Sequence, residues 1–194
     1  MIRFEYLAIF YGIIIGLALG NIASSVHKLL EAGSRVRWHW MAPVNAMGIT
    51  IATLGQFWAW WANRDVWAGP PIFLTVLPGS MASLLLYVVC ASTLPDSVPE
   101  AGIDMREFYF SSARRFWSIF ATYMLLRLFQ QLLLIVLSNF DPRVERLYFP
   151  FLCEILPIVP IAASLAYVRA HWWHGLWISL ISVSPLLIFG PMKI

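Results

Sequence analysis

Charged residues divide this chain into long apolar windows. Four windows contain no Asp, Glu, Lys or Arg, and they run from Glu5 to Lys28, Arg37 to Arg64, Asp65 to Asp96 and Arg169 to Lys193. Two further windows each contain one charge, Arg127 or Glu154. Every window exceeds the roughly 20 residues that cross about 30 Å of hydrocarbon as a helix. The pattern predicts an all-α bundle of six transmembrane helices, near residues 4–27, 39–62, 71–93, 116–139, 148–169 and 172–190.

The composition agrees with this pattern. Hydrophobic residues make up 60% of the 194 residues and charged residues 12%, whereas soluble domains carry about 25% charged residues. One soluble core of this size could not bury so much apolar surface. The net charge of +3 is too small and too dispersed to indicate nucleic-acid binding. We therefore expect residues 1–194 to form a single transmembrane domain with lipid as its surroundings.

The longest connection lies between the third and fourth predicted helices. Pro95, Pro99 and Gly102 exclude a continuous helix there. Asp104 then precedes Glu107 by three residues, a spacing typical of a helix start. Aromatic and basic residues follow at helical spacing, so the sequence predicts a short interfacial helix near residues 104–115.

Three segments around this connection carry a resemblance to a known family. Leu94–Asp96, Gly102–Phe110 and Arg115–Trp117, together with Gln56–Trp58, resemble a family of small uncharacterised bacterial polytopic inner-membrane proteins. The resemblance implies a bacterial inner (cytoplasmic) membrane and implies no activity. Seven loop cations on one side, against five on the side of both termini, predict that the termini lie outside the cytoplasm.

The first helix carries a run of small residues. Gly12, Gly16 and Gly20 lie four residues apart and form a smooth face that another helix can approach closely. The neighbour is either another helix of this chain or a second copy in a homo-oligomer. The sequence leaves both alternatives open.

Polar side chains collect inside the fourth helix. Tyr123, Arg127, Gln130, Gln131 and Ser138 share one helical face, which should point to protein or to a water-filled cavity because charge in hydrocarbon is costly.

Glu154 lies at a comparable depth in the fifth helix. Counted at 1.5 Å per residue, Glu154, Gln56, Gln130 and Gln131 fall roughly 8–14 Å below one surface, level with expected interruptions at Pro78, Pro157 and Pro185. These residues and Arg127 are the candidate substrate or ion pathway. Purely structural polar packing is the alternative.

The histidines lie near the opposite surface. His27, His39, His171 and His174 are candidate zinc or copper ligands, although no cysteine pair or HExxH spacing supports a metal site, and interfacial anchoring explains them equally. No enzyme motif is present, so we expect neither catalysis nor a cofactor. Two functions remain: a channel-like or transporter-like protein, and a non-catalytic docking subunit that contacts other membrane subunits.

Overall fold

The computed structural model describes residues 2–62, 72–139 and 141–189. Its helices are α1 (Ile2–Ala32), α2 (Met41–Ala62), α3 (Ile72–Ala91), α4 (Met105–Leu137), α5 (Pro142–Tyr167) and α6 (His171–Phe189). A 3-10 turn (Gly33–Arg35) and a two-residue strand β1 (Val36–Arg37) follow α1, and a second two-residue strand β2 (Ile103–Asp104) precedes α4. The described fold is thus essentially all-helical, as the sequence predicts.

Three of these helices, α1, α4 and α5, are long and apolar enough to cross a membrane. Their outward faces are apolar as well, because Ile13, Leu125 and Leu156 expose 59%, 52% and 57% of their surface. Soluble monomers rarely expose extended apolar patches of this kind. In α3 a shorter apolar stretch, Val76–Ala91, is also helical.

The fourth helix differs from its prediction. The expected interfacial helix and the fourth span form one continuous helix, α4, of 33 residues. No glycine or proline occurs between Met105 and Leu137, so nothing breaks the backbone hydrogen-bond ladder. Asp104 caps the helix, since its Oδ1 accepts from the backbone N–H groups of Arg106 and Glu107 at 2.8 and 3.4 Å.

The prolines also behave differently from expectation. The sequence predicts interrupted helices at Pro78, Pro157 and Pro185, yet α3, α5 and α6 have helical backbone on both sides of these residues. Neighbouring helices and small local adjustments can satisfy the carbonyl group that each proline leaves without its N–H partner. The chain therefore offers no unwound segment at these positions.

Helix α4 occupies the centre of the packing. It lies against α3 on one side and α5 on the other, α2 packs against α6, and α1 packs across α3 and α2. The main core surrounds Trp117, which is 0% exposed and stacks edge-on against Phe116 and Phe120.

The connection between α1 and α2 pairs with the connection between α3 and α4. Val36 pairs with Ile103, and Arg37 pairs with Asp104, in a short parallel bridge that the sequence does not reveal. Gly102 adopts a φ of +87°, and a Cβ there would lie 2.6 Å from the Arg35 carbonyl oxygen. Only glycine fits both the conformation and the approach.

The glycine run of α1 faces open space among the described residues. A methyl group added at Gly12, Gly16 or Gly20 would meet no atom of the described neighbours within 4 Å. None of the described residues therefore packs closely against this face. The close helix contact occurs elsewhere, where a Cβ on Gly48 would lie 2.7 Å from Ser182 Cβ and 2.8 Å from its Cα.

Candidate functional site

A small polar cavity lies among the first four helices. Its volume is about 30 Å³, and it is lined by residues of α1 (Tyr11, Ile15), α2 (Gln56, Phe57), α3 (Gly79, Ser83, Leu86) and α4 (Arg127, Gln130). Three residues of the predicted pathway, Gln56, Arg127 and Gln130, therefore come together here. A cavity of this size has room for one or two water molecules.

Arg127 is held in the cavity by two side-chain amides. Its Nη1 donates to Gln130 Oε1 at 2.8 Å. The Gln56 amide lies between the Arg127 guanidinium and the Tyr123 hydroxyl. Because a guanidinium can only donate, we assign the amide oxygen of Gln56 to Arg127, at 3.2 Å, and the amide nitrogen to Tyr123. The guanidinium is thus oriented from two sides.

The charge of Arg127 has no counter-ion in the described part of the chain. Both hydrogen-bond partners are neutral, and none of the described carboxylates forms an ion pair with it. Neutral amides orient a cation without cancelling its charge. The cavity is consequently electropositive.

Glu154 lies outside this arrangement. Its side chain is half-buried on α5, does not line the cavity, and has no hydrogen bond or ion pair among the described residues. A count of residues from the helix end places Glu154 at the right depth but does not say which way it faces. The sequence assigns Glu154 and Arg127 to one pathway, but the structure does not place Glu154 in the cavity with Arg127.

Gln130 and Gln131 are both buried, at 2% exposure each, as the polar face of α4 predicts. Only Gln130 reaches the cavity. The amide oxygen of Gln131 has no hydrogen-bond partner among the residues that the structure describes. The predicted pathway residues thus separate into a cavity group and two residues outside it.

Gly79 shapes the cavity wall. A Cβ at this position would lie 2.7 Å from the Tyr11 hydroxyl oxygen and would also collide with Gln130 Nε2. The absence of a side chain lets α1 and α4 bring these polar groups together across α3. The sequence marks only the neighbouring Pro78, as an expected helix interruption, and gives no signal for Tyr11, which occupies an ordinary helical position without a motif.

The histidines do not form a metal site in the described residues, where no group of three or more metal-ligating side chains occurs. His174 is 1% exposed, and both of its ring nitrogens are engaged. Its Nε2 donates to the Val168 carbonyl at 2.7 Å, and its Nδ1 accepts from the Tyr109 hydroxyl at 2.7 Å. Trp117 Nε1 in turn donates to that hydroxyl at 3.0 Å. His174 is therefore a structural link between α4, α6 and the end of α5.

The remaining histidines are dispersed. His27 is exposed on α1, His39 lies beside Trp40, and His171 Nε2 accepts from Arg106 Nη2 at 3.1 Å. His171 borders a surface groove, together with Arg106.

No protein-family model matches this chain, and no curated protein or solved structure matches it either. The functional argument therefore rests on the site itself.

Proposed function

We propose that the protein is a six-span bacterial inner-membrane protein, channel-like or transporter-like, whose polar cavity binds and passes a small anion. The observation that carries the proposal is the guanidinium of Arg127, held in a cavity by neutral partners only. Both termini lie on the non-cytoplasmic side in this proposal, following the loop charges.

Electrostatics select the sign of the solute. At an effective dielectric constant of about 20, a unit charge 4 Å from a guanidinium gains or loses about 4 kcal/mol. A cation would meet that energy as a barrier and an anion would meet it as attraction. Rings of arginine or lysine serve anion pores in the same way.

The neutral groups supply hydration. The amide oxygen of Gln130 accepts from Arg127. The Nε2 donor of the same amide lies beside Gly79, where the Tyr11 hydroxyl also lies. Donors of this kind can replace water lost by an anion that enters a narrow site. The volume of about 30 Å³ favours a monoatomic anion over an organic one. Glu154 and Gln131 have no assigned step.

Flux into liposomes tests the proposal. The purified chain is reconstituted, and the movement of chloride, sodium, potassium and protons is measured against protein-free vesicles. We expect chloride to move and the cations to be excluded. Movement of cations without chloride would contradict the proposal, and no movement of any ion would favour the second candidate.

The second candidate is a docking subunit of a larger membrane complex. The open glycine face of α1 favours it, because a Cβ added at Gly12, Gly16 or Gly20 would meet no described atom within 4 Å. Such faces are typical of contacts between transmembrane helices. A homo-oligomer or a complex with other membrane subunits would cover it. Gly16→Leu should then dissociate the assembly on size-exclusion chromatography without changing the fold of the isolated chain.

A further inference from the structure

An open groove of about 400 Å³ lies where the first turns of α4 meet the connection between α5 and α6. It is far along α4 from the cavity, since Arg106 lies in the first turn of that helix and Arg127 lies 21 positions later. Its lining consists of Asp104, Arg106, Glu107, Phe110, Arg169 and His171. None of the roles proposed above uses this groove.

The charged side chains that line the groove differ in whether they already have hydrogen-bond or ion-pair partners. Asp104 is committed, because Oδ1 caps α4 and Oδ2 lies 3.5 Å from Arg37 Nη1. Arg106 donates through Nη2 to His171, which leaves its other N–H groups for a ligand. Arg169 and Glu107 have no ion pair in the described residues. The groove thus presents two guanidinium groups and one uncommitted carboxylate.

Exposed aromatic residues lie close in sequence to Arg169 of the groove. Trp172 and Tyr167 are 70% and 71% exposed, on either side of Arg169 in the sequence. Arg114 lies over the Tyr167 ring, 5.4 Å from its centroid. Tryptophan and tyrosine of this kind concentrate at the headgroup level of a bilayer. The groove therefore opens at the depth where phospholipid headgroups lie.

We propose that this groove binds the headgroup of a zwitterionic phospholipid of the phosphoethanolamine type. Arg106 and Arg169 take the phosphate, since the guanidinium fork matches phosphate oxygens. Glu107 accepts from the ammonium group. Phe110 and His171, whose ring centroids are 4.3 Å apart, form an aromatic wall beside the headgroup. The inference requires the membrane location but is independent of anion transport.

The starts of two helices add to the attraction for phosphate. Helix α4 begins at Met105 and α6 begins at His171, so the positive ends of both helix dipoles border the groove. A purely anionic lipid would use this attraction but would leave Glu107 unpaired beside its own negative charge. The carboxylate is what distinguishes the zwitterion.

Native mass spectrometry of the full chain in detergent, titrated with defined lipids, tests the inference. Phosphatidylethanolamine should bind more tightly than phosphatidylglycerol, which lacks the ammonium, and phosphatidylcholine, which lacks ammonium N–H donors. Arg106→Gln or Arg169→Gln should weaken binding of phosphatidylethanolamine by roughly tenfold or more, the effect of losing a charge-assisted hydrogen bond. Glu107→Gln should remove the preference over phosphatidylglycerol.

Arg115→Gln is the matched control, because Arg115 is exposed on the same helix and does not line the groove. It should bind lipid like the parent. Arg169→Lys, which keeps the charge and loses the fork, should bind with intermediate strength. Equal binding of the three lipids, or an equal loss in Arg115→Gln, would overturn the inference. Displacement by inorganic phosphate as readily as by phosphoethanolamine would also overturn it, by showing recognition of soluble phosphate alone.

Discussion

Individual side chains in the cavity differ in how much their neighbours restrict them. Gln56 and Gln130 each give their amide oxygen to Arg127, so neither can rotate without breaking a hydrogen bond to a charged group. Such bonds contribute about 1.5–3 kcal/mol each. The arrangement keeps the guanidinium in place while leaving it positively charged, which is the property on which the proposed anion binding depends.

Gly79→Ala tests whether chloride flux depends on the absence of a side chain at residue 79 in the cavity wall. The added methyl group would displace Gln130 Nε2 and the Tyr11 hydroxyl, so we expect chloride flux to fall while the helical content stays unchanged. Gly12→Ala is the control, because its methyl group meets open space. Equal flux in the two variants would mean that the cavity wall has no part in transport.

The cap of α4 should show a pH dependence. The backbone amide of Arg106, helped by that of Glu107 and by the Arg37 guanidinium, holds the pKa of the Asp104 carboxyl below its ordinary value of 3.8. The stability that Asp104 contributes is therefore present above that value and is lost as the pH falls through the lower pKa of the folded state.

Thermal melts from about pH 2.5 to about pH 7, a range that brackets the ordinary aspartate pKa, measure this contribution. Asp104→Ala should melt below the parent at neutral pH, and the two melting curves should converge as the medium becomes acidic. A constant difference at every pH would show that the carboxylate charge is not what stabilises the helix start.

At the scale of helices, the pattern of charged residues predicts that a helix exists better than it predicts how long that helix is. The sequence places the second helix at 39–62 and the structure places α2 at Met41–Ala62. The fifth helix is predicted from 148, yet α5 begins at Pro142. Charged residues mark where hydrocarbon ends, whereas a helix can continue into the headgroup layer. The same reason extends α1 to Ala32 and joins the interfacial segment to α4.

The contact between α2 and α6 is a close helix packing that the sequence does not reveal. Gly48→Ala should destabilise the fold by roughly 1–3 kcal/mol, because the new Cβ would press on the backbone of Ser182. Detergent or thermal unfolding measures the change. Gly16→Ala serves as control and should unfold like the parent, unless an oligomer covers that face. A Gly48→Ala variant as stable as the parent would contradict the packing.

For the whole molecule, the level of a polar residue along its helix could be predicted from the sequence, but the direction in which it points around the helix axis could not. Counting residues brought Gln56 and Gln130 to one level, and the cavity contains both. The same count added Glu154, which lies on α5 outside the cavity, and missed Tyr11. Which helices become neighbours depends on side-chain packing across the entire bundle, and a single sequence does not encode that as a visible period.

The six-span topology has its own test. In the proposed topology, reporter fusions at Met1 and Ile194 should both report the non-cytoplasmic side, because an even number of spans returns the chain to its starting face. The loops on the face opposite the termini hold the excess of cations, which predicts that this opposite face is cytoplasmic. A fusion within residues 94–104 should report the cytoplasm. Termini on opposite sides would exclude six spans.

The most direct test of the account is chloride flux into liposomes that contain the parent, Arg127→Gln or Glu154→Gln. Loss of the guanidinium should lower chloride flux by at least about tenfold, since it removes the charge-assisted hydrogen bonding on which anion binding depends. Glu154→Gln should transport like the parent, because Glu154 does not line the cavity. Unchanged flux in Arg127→Gln, with loss of flux in Glu154→Gln, would contradict the account.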